Sequence, residues 1–292
     1  MVSMVHDLLI APFADFAFMR RALIGVTALA LGACPIGVFL MLRRMSLVGD
    51  AMAHAILPGA AIGFLLSGMS LFAMTAGGLV AGIVVAALAG LVARTTQLRE
   101  DASLATFYLL SLALGVAIVS MKGTNIDLLH VLFGSVLALD DPTLLLIAIN
   151  ATVTLLVLAL IYRPLVMECV DPHFVRSVSG AGAPTHLAFL ALVVVNLVSG
   201  FHALGTLLAV GIMMLPAAIG RFWASDITGI VVVATVAGIV SGYAGLLLSF
   251  HAGMPSGPAV ILVAGGFYIL SLLFGPVGGL VRQIFPGRHL EA

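Results

Sequence analysis

An aspartate and a histidine stand four residues apart in the stretch MSLVGDAMAHAILPG, residues 45–59, inside a chain that is otherwise almost wholly apolar. That spacing puts Asp50 and His54 on one face of a helix. A carboxylate with an imidazole is a donor pair suited to Zn²⁺, Mn²⁺ or Fe²⁺. An ionisable group at the centre of a bilayer costs about 2.5–3.5 kcal/mol on insertion scales, so such groups face protein or a water-filled path. Two readings stay open at this point. The pair reads either as ligands on a transport path, or as a structural pair in which Asp50 bonds His54 or caps a helix starting after Gly49. Pro58-Gly59 follows directly and predicts a break that frees backbone carbonyls beside a cavity. Pro216, in GIMMLPAAIGR, predicts a second kink.

Other ionisable residues are weaker candidates. Asp127 and His130 in NIDLLHVLFGS are three apart, on one face of an expected short amphipathic helix, and they join His202 and His251 as secondary metal ligands. Any one of these histidines is individually more often a bystander than a ligand. The two cysteines, Cys34 and Cys169, offer neither a disulfide framework nor paired thiolate ligands. No His-Glu-x-x-His helix and no Walker-type phosphate loop occurs, which excludes an intramembrane metalloprotease of that type and ATP hydrolysis by the chain itself.

The elements that must position these residues follow from composition. Of 292 residues, 62% are hydrophobic and only 8% charged, against about a quarter charged in soluble domains. Mean hydropathy is +1.27. The expected fold is all-α and polytopic, since the apolar runs have helix-spanning length and lack β-barrel alternation. Windows of about 19 residues give nine spans, with eight to ten as the range, near 22–42, 50–67, 71–93, 102–120, 142–162, 185–200, 204–220, 227–249 and 258–280. Formal net charge is zero, so nothing argues for a nucleic-acid partner. Arg43, Arg44, Arg94, Arg99, Arg163, Arg176, Arg221, Arg282 and Arg288 fall on one side of these spans, and Arg20, Arg21 and Lys122 on the other. The positive-inside rule then places the N-terminus outside and the C-terminus in the cytoplasm. The expected layout is an external interfacial segment 1–21, a transmembrane domain 22–280 with an internal loop near 164–184, and a tail 281–292. Within that loop, Asp171-Pro172 predicts the start of a short helix that Gly180 ends.

Four blocks in this order, RRMSLVGDAMAHAILPGAAIGF, DLLHVLFGSVLAL, GTLLAVGIMMLPAAIGRF and MPSGPAVILV, resemble the membrane permeases of the ABC importers for zinc, manganese and chelated iron, from about Arg20 to Leu273. The resemblance implies a type II ABC importer permease, related to the cobalamin and siderophore permeases, in the bacterial inner membrane. It implies a homodimer working with two copies of a cytoplasmic ATPase subunit and an extracytoplasmic metal-binding protein. No permanently bound cofactor and no enzyme activity are expected of the permease. By the same resemblance, Asp50 and His54 match the family's Asp and His. Asp171, Pro172, His173, Arg176 and Gly180 stand where a coupling helix meets the ATPase, and Arg20 and Arg21 where the binding protein docks. His130 and His251 depart from the family pattern. Two Asp/His pairs converging from two protomers would make a four-ligand site, and the outer-face histidines tilt the expected cargo toward Zn²⁺. The alternatives are a permease for a larger chelate and a proton-coupled secondary transporter with Asp50 as carrier, against which the lack of visible inverted repeats weighs.

Overall fold

The computed structural model describes residues 8–68, 70–98, 100–121, 139–171 and 182–284, and every regular element among them is a helix. A short α1 (Ala11–Asp15) leads into α2 (Ala17–Leu42). Then come α3 (Val48–Ala55), α4 (Leu57–Ser67), α5 (Leu71–Thr95), α6 (Glu100–Met121) and α7 (Asp141–Val170). The second half holds α8 (Gly182–Leu204), α9 (Thr206–Trp223), α10 (Ile227–Ala252), α11 (Ser256–Phe274) and a short α12 (Leu280–Ile284). Among the described residues, nine spans are long and apolar enough to cross a membrane, α3 and α4 counting together as one. The number matches the expected nine. Helix is the form that satisfies every backbone group inside a single lipid-exposed segment, and polar N-caps close the exposed starts. Ser70, Asp140 and Asp226 accept from the backbone N–H of Ala73, Thr143 and Gly229.

Helix α2 is the interior post of the bundle, with Leu29, Ile36, Phe39 and Leu40 fully buried. It packs against α7, α9 and α10, while α4, α5 and α6 form a second group that α8 joins to the first. Close crossings replace a hydrophobic driving force that lipid does not supply. A Cβ at Gly59 of α4 would collide with the Gly77 carbonyl of α5, and one at Gly77 with the Gly59 carbonyl. The glycine of Pro58-Gly59 is thus a packing contact. Polar glue lies where α7 meets α8: Asn150 Nδ2 donates to Asn196 Oδ1 at 3.3 Å, and Asn196 Nδ2 to Thr154 Oγ1 at 2.8 Å.

Boundaries differ from the sequence expectation in three places, each for a physical reason. Helix α2 begins at Ala17 and includes Arg20 and Arg21, because two cations lower the hydropathy window without ending the helix. Helix α7 runs through Arg163 and Pro164 to Val170 with Leu165 fully buried, so the first part of the expected 164–184 loop is helix and Asp171 is the residue that ends it. Helix α11 stops at Phe274, before Gly275-Pro276, although apolar residues continue beyond it. Pro216 lies inside α9 without interrupting it.

Candidate functional site

Helix α3 is eight residues long, with Asp50 in its first turn and His54 in its last. Its N-cap is Leu47 and carries no side-chain cap bond, so Asp50 is not a capping residue. Asp50 Oδ1 lies 3.8 Å from His54 Nε2, beyond hydrogen-bond length. The structural reading of the pair therefore lacks the bond it needs. The two side chains project together from one face, with the Asp50 side chain 66% and the His54 side chain 30% exposed in the single chain. The Tyr108 ring on α6 stacks by His54, centroids 6.2 Å apart and planes at 30°. A cavity of about 440 Å³ opens on this face, lined by Arg44, Ser46, Asp50, Asp101, Leu104 and Tyr108 among others.

Both ends of α3 are unusual. Before it, Arg44 is left-handed at φ 59°, the one non-glycine residue with positive φ among those described. Met45 N–H donates to Leu40 O and Arg44 N–H to Met41 O, the paired bonds that usually call for glycine where Arg44 stands. After it, Ile56 forms a one-residue joint to α4, which has Pro58 in its first turn. This is a shallower break than expected. Ile56 N–H still reaches Met52 O at 3.2 Å, and Ala60 N–H reaches Ile56 O at 3.1 Å. Ser111 Oγ of α6 donates to Ala55 O at 2.9 Å, so a carbonyl at the joint is occupied by α6. Gly115 lets α6 approach Pro58 closely.

The other predicted residues are not gathered at this site. Arg21 pairs with Asp141 at 2.9 Å, both side chains well exposed, and Arg20 Nη1 donates to Ala14 O at 2.6 Å. His251 Nε2 donates to Leu8 O at 3.0 Å, and the Tyr243 hydroxyl donates to Leu9 O at 2.8 Å, tying the N-terminal segment to α10. His202 falls in the last turn of α8. Asp127, His130, Pro172, His173, Arg176 and Gly180 lie outside the described residues. No group of three or more His, Cys, Asp or Glu gathers among the described residues, so Asp50 and His54 offer two donors per chain. Sequence reasoning missed Tyr108, because a tyrosine on an apolar helix carries no spacing signal toward a histidine 54 residues earlier.

It also missed a buried cluster at the end of α2. Arg43 Nη2 lies 2.7 Å from His186 Nδ1 on α8 and 3.3 Å from Glu168 Oε2 on α7, and its guanidinium sits 5.3 Å from the Phe189 ring centroid. The Arg43 and Glu168 side chains are 11% and 9% exposed. A signal existed in the sequence: Glu168 adjoins a span, and an acidic residue there invites a search for its partner.

The chain is similar to the manganese transport system membrane protein MntC of Halalkalibacterium halodurans, 28% identical over 278 residues that cover 95% of this chain and 94% of that one. It is also similar to the manganese import system permease protein ScaB of Streptococcus parasanguinis, 30% identical over 263 residues, 90% of this chain and 92% of the relative. Among solved structures, a chain of PsaBC from Streptococcus pneumoniae in complex with Fab superposes with a TM-score of 0.82 at 24% identity, covering 97% of this chain and 100% of that chain, which shows a common fold. The ABC 3 transport family matches residues 15–275, a stretch that takes in helix α3 and all nine spans found among the described residues. With that match spanning both the helical bundle and the Asp50/His54 face, the chain belongs to the ABC 3 transport family.

Proposed function

We propose that this permease passes a divalent metal ion through a path on which Asp50 and His54 are transient ligands. One observation carries the proposal. On a span that is otherwise apolar, a carboxylate and an imidazole lie 3.8 Å apart, not hydrogen-bonded to one another and partly exposed. Exposure to lipid would cost several kcal/mol, so this face meets water or protein. A second copy of the chain facing it would bring the donor count to four, which suits a dication stripped of part of its water. Backbone carbonyls and retained water can complete the shell.

The chain is the conduit and not an enzyme. Its energy source is a separate cytoplasmic ATPase subunit in two copies, and its cargo arrives from an extracytoplasmic metal-binding protein seated near Arg20 and Arg21. The N-terminus is outside and the C-terminus in the cytoplasm, in keeping with the arginine distribution. Mn²⁺ is the favoured cargo. The histidine argument for Zn²⁺ weakens because His251 is engaged with the Leu8 carbonyl, whereas MntC and ScaB are named for manganese. Two Asp/His sets, with carboxylates for half their donors, also suit manganese better than an all-imidazole tetrahedral site would.

The test is ATP-driven uptake by proteoliposomes holding the whole complex, with Mn²⁺ as cargo and Zn²⁺ as competitor. Uptake that needs ATP and is lost in Asp50→Asn supports the reading. Uptake driven by an imposed pH gradient without ATP refutes it in favour of a secondary transporter.

A further inference from the structure

We infer that Arg43 is a positioning residue that ties the ends of α7 and α8 to the metal-site helix, and so sets where α3 holds Asp50 and His54. The inference rests on the proposed function, in which Asp50 and His54 are the ligands of the transport path. Its physical basis is a junction of three helices on one side chain. Arg43 caps α2, Glu168 lies in the last turn of α7, and His186 lies near the start of α8. One guanidinium nitrogen, Nη2, contacts both partners, at 2.7 Å and 3.3 Å, and the Phe189 ring of α8 lies against the guanidinium. With Nδ1 of His186 accepting from Arg43, the ring proton of the neutral imidazole sits on Nε2.

The link continues from Arg43 to the metal site through a short stretch of backbone. Residues 43–47 form the turn between α2 and α3. That turn is closed by Met45 N–H to Leu40 O at 2.8 Å and by Val48 N–H to Met45 O at 3.0 Å, which leaves little slack. Arg44, next to Arg43, holds the left-handed conformation, and Arg44 and Ser46 also line the Asp50 cavity. A shift of Arg43 therefore reaches α3 within a few bonds.

The cluster is poorly suited to serve stability alone. A buried ion pair pays desolvation that a hydrophobic substitute avoids, and only complete hydrogen bonding offsets it. Here Arg43 Nη1 has no hydrogen-bond partner among the described residues, and the 3.3 Å approach of Arg43 Nη2 to Glu168 Oε2 is an ion-pair contact without hydrogen-bond geometry. An incompletely satisfied buried pair suits a contact that adopts a second arrangement during the transport cycle. Arginine fits this role better than lysine, because a planar fork fixes direction where an ammonium is a point charge.

The experiment uses the complex reconstituted with its ATPase and binding protein, and reads Mn²⁺ taken up per ATP hydrolysed. Glu168→Gln and Arg43→Lys are expected to lower that ratio at least tenfold while ATP hydrolysis per assembled complex stays within twofold. The exchange Arg43→Glu with Glu168→Arg should recover part of it. An unchanged ratio in both single variants overturns the inference. So does a fall in uptake and hydrolysis together in step with lost assembly, including failure of both variants to assemble, since that is what a purely structural cluster gives. Asp50→Asn run alongside separates the two proposals. If it abolishes uptake while the cluster variants keep the normal ratio, only the Arg43 inference fails. If it transports normally, the ligand assignment fails and the Arg43 inference with it.

Discussion

Asp50→Asn distinguishes a ligand from a structural residue because the two roles predict effects of different size. As a structural residue, Asp50 has two terms to lose. An i,i+4 pair on a helix is worth about 0.3–0.5 kcal/mol, and at 3.8 Å with a side chain two-thirds exposed this pair is no better than that. A carboxylate in the first turn of α3 gains about 0.3–1 kcal/mol from the helix dipole. Together these reach about 1.5 kcal/mol at most, which for a chain of 292 residues lowers the melting temperature by roughly 2–3 °C. As a metal ligand, Asp50 matters far more to transport. Even residues that merely support a metal ligand cost about 10–100-fold in affinity or activity when changed, so loss of a ligand carboxylate is expected to cost at least about 100-fold in uptake. The assay measures ATP-driven Mn²⁺ uptake and thermal stability on the same purified complex. Uptake within tenfold of wild type, with a melting shift of a few degrees, would refute the ligand assignment. Uptake near background with the melting temperature almost unmoved supports it.

Three further outcomes follow from the geometry. Tyr108→Phe keeps the ring that faces His54 at 6.2 Å and should transport nearly as wild type, whereas Tyr108→Ala should cut uptake by about tenfold without loss of assembly. Equal uptake in both variants would show that the ring does not orient the imidazole. Arg44→Gly relieves a left-handed residue that costs about 1–2 kcal/mol, less about 0.5–1 kcal/mol of added chain entropy, so thermal unfolding should show a gain of up to about 1.5 kcal/mol. A lower melting temperature would mean that the Arg44 side chain contributes more than its backbone strain costs. Asp140 caps α7, and hydrogen bonding by Thr143 holds its carboxyl below the usual carboxylate range. A lowered folded value means the cap's contribution is complete above that range and is lost as pH falls through the folded value. Asp140→Ala should cost about 1 kcal/mol near neutral pH and progressively less in acid, read as the gap between wild-type and variant melting curves across pH.

The spans were readable in the sequence because their signal is local. Length and hydropathy decide whether a segment crosses lipid, and all nine runs carried both. The ends were less readable wherever charge and helix part company. Arg163 closes a hydropathy window, yet α7 continues to Val170 because Leu165 is buried against neighbours that the window does not see. Asp50 and His54 were readable for the same local reason, four residues on one helix. Tyr108 and the Arg43 cluster were not. Their partners lie 54 and more than 120 residues apart in sequence, on separate helices, and only the packing of α2, α6, α7 and α8 brings them together. His251 shows the converse. It was one of four secondary candidates for an outer-face ligand, and its Nε2 lies 3.0 Å from the Leu8 carbonyl, a contact with no signal in the sequence.

If Asp50 and His54 are the ligands proposed above, the architecture around α3 gives a way for one short element to hold a metal and also let it go. Eight residues make a helix too short to be stable by itself, so its position is set by what it packs on, chiefly α6 and α8. At one end the turn carrying Arg44 ties it to α2 and the Arg43 cluster. At the other, the Ile56 joint is gripped by Ser111 and Gly115 of α6. On the proposed reading, a helix held at both ends by neighbours would move with them, and Asp50 and His54 would keep their mutual spacing while their distance to a facing donor set changes. Two donors per chain bind a dication weakly, and opposed pairs bind it well only while they are aligned. Small displacement of the flanking helices is then enough to change affinity, which is what a conduit requires in order to release what it has taken up.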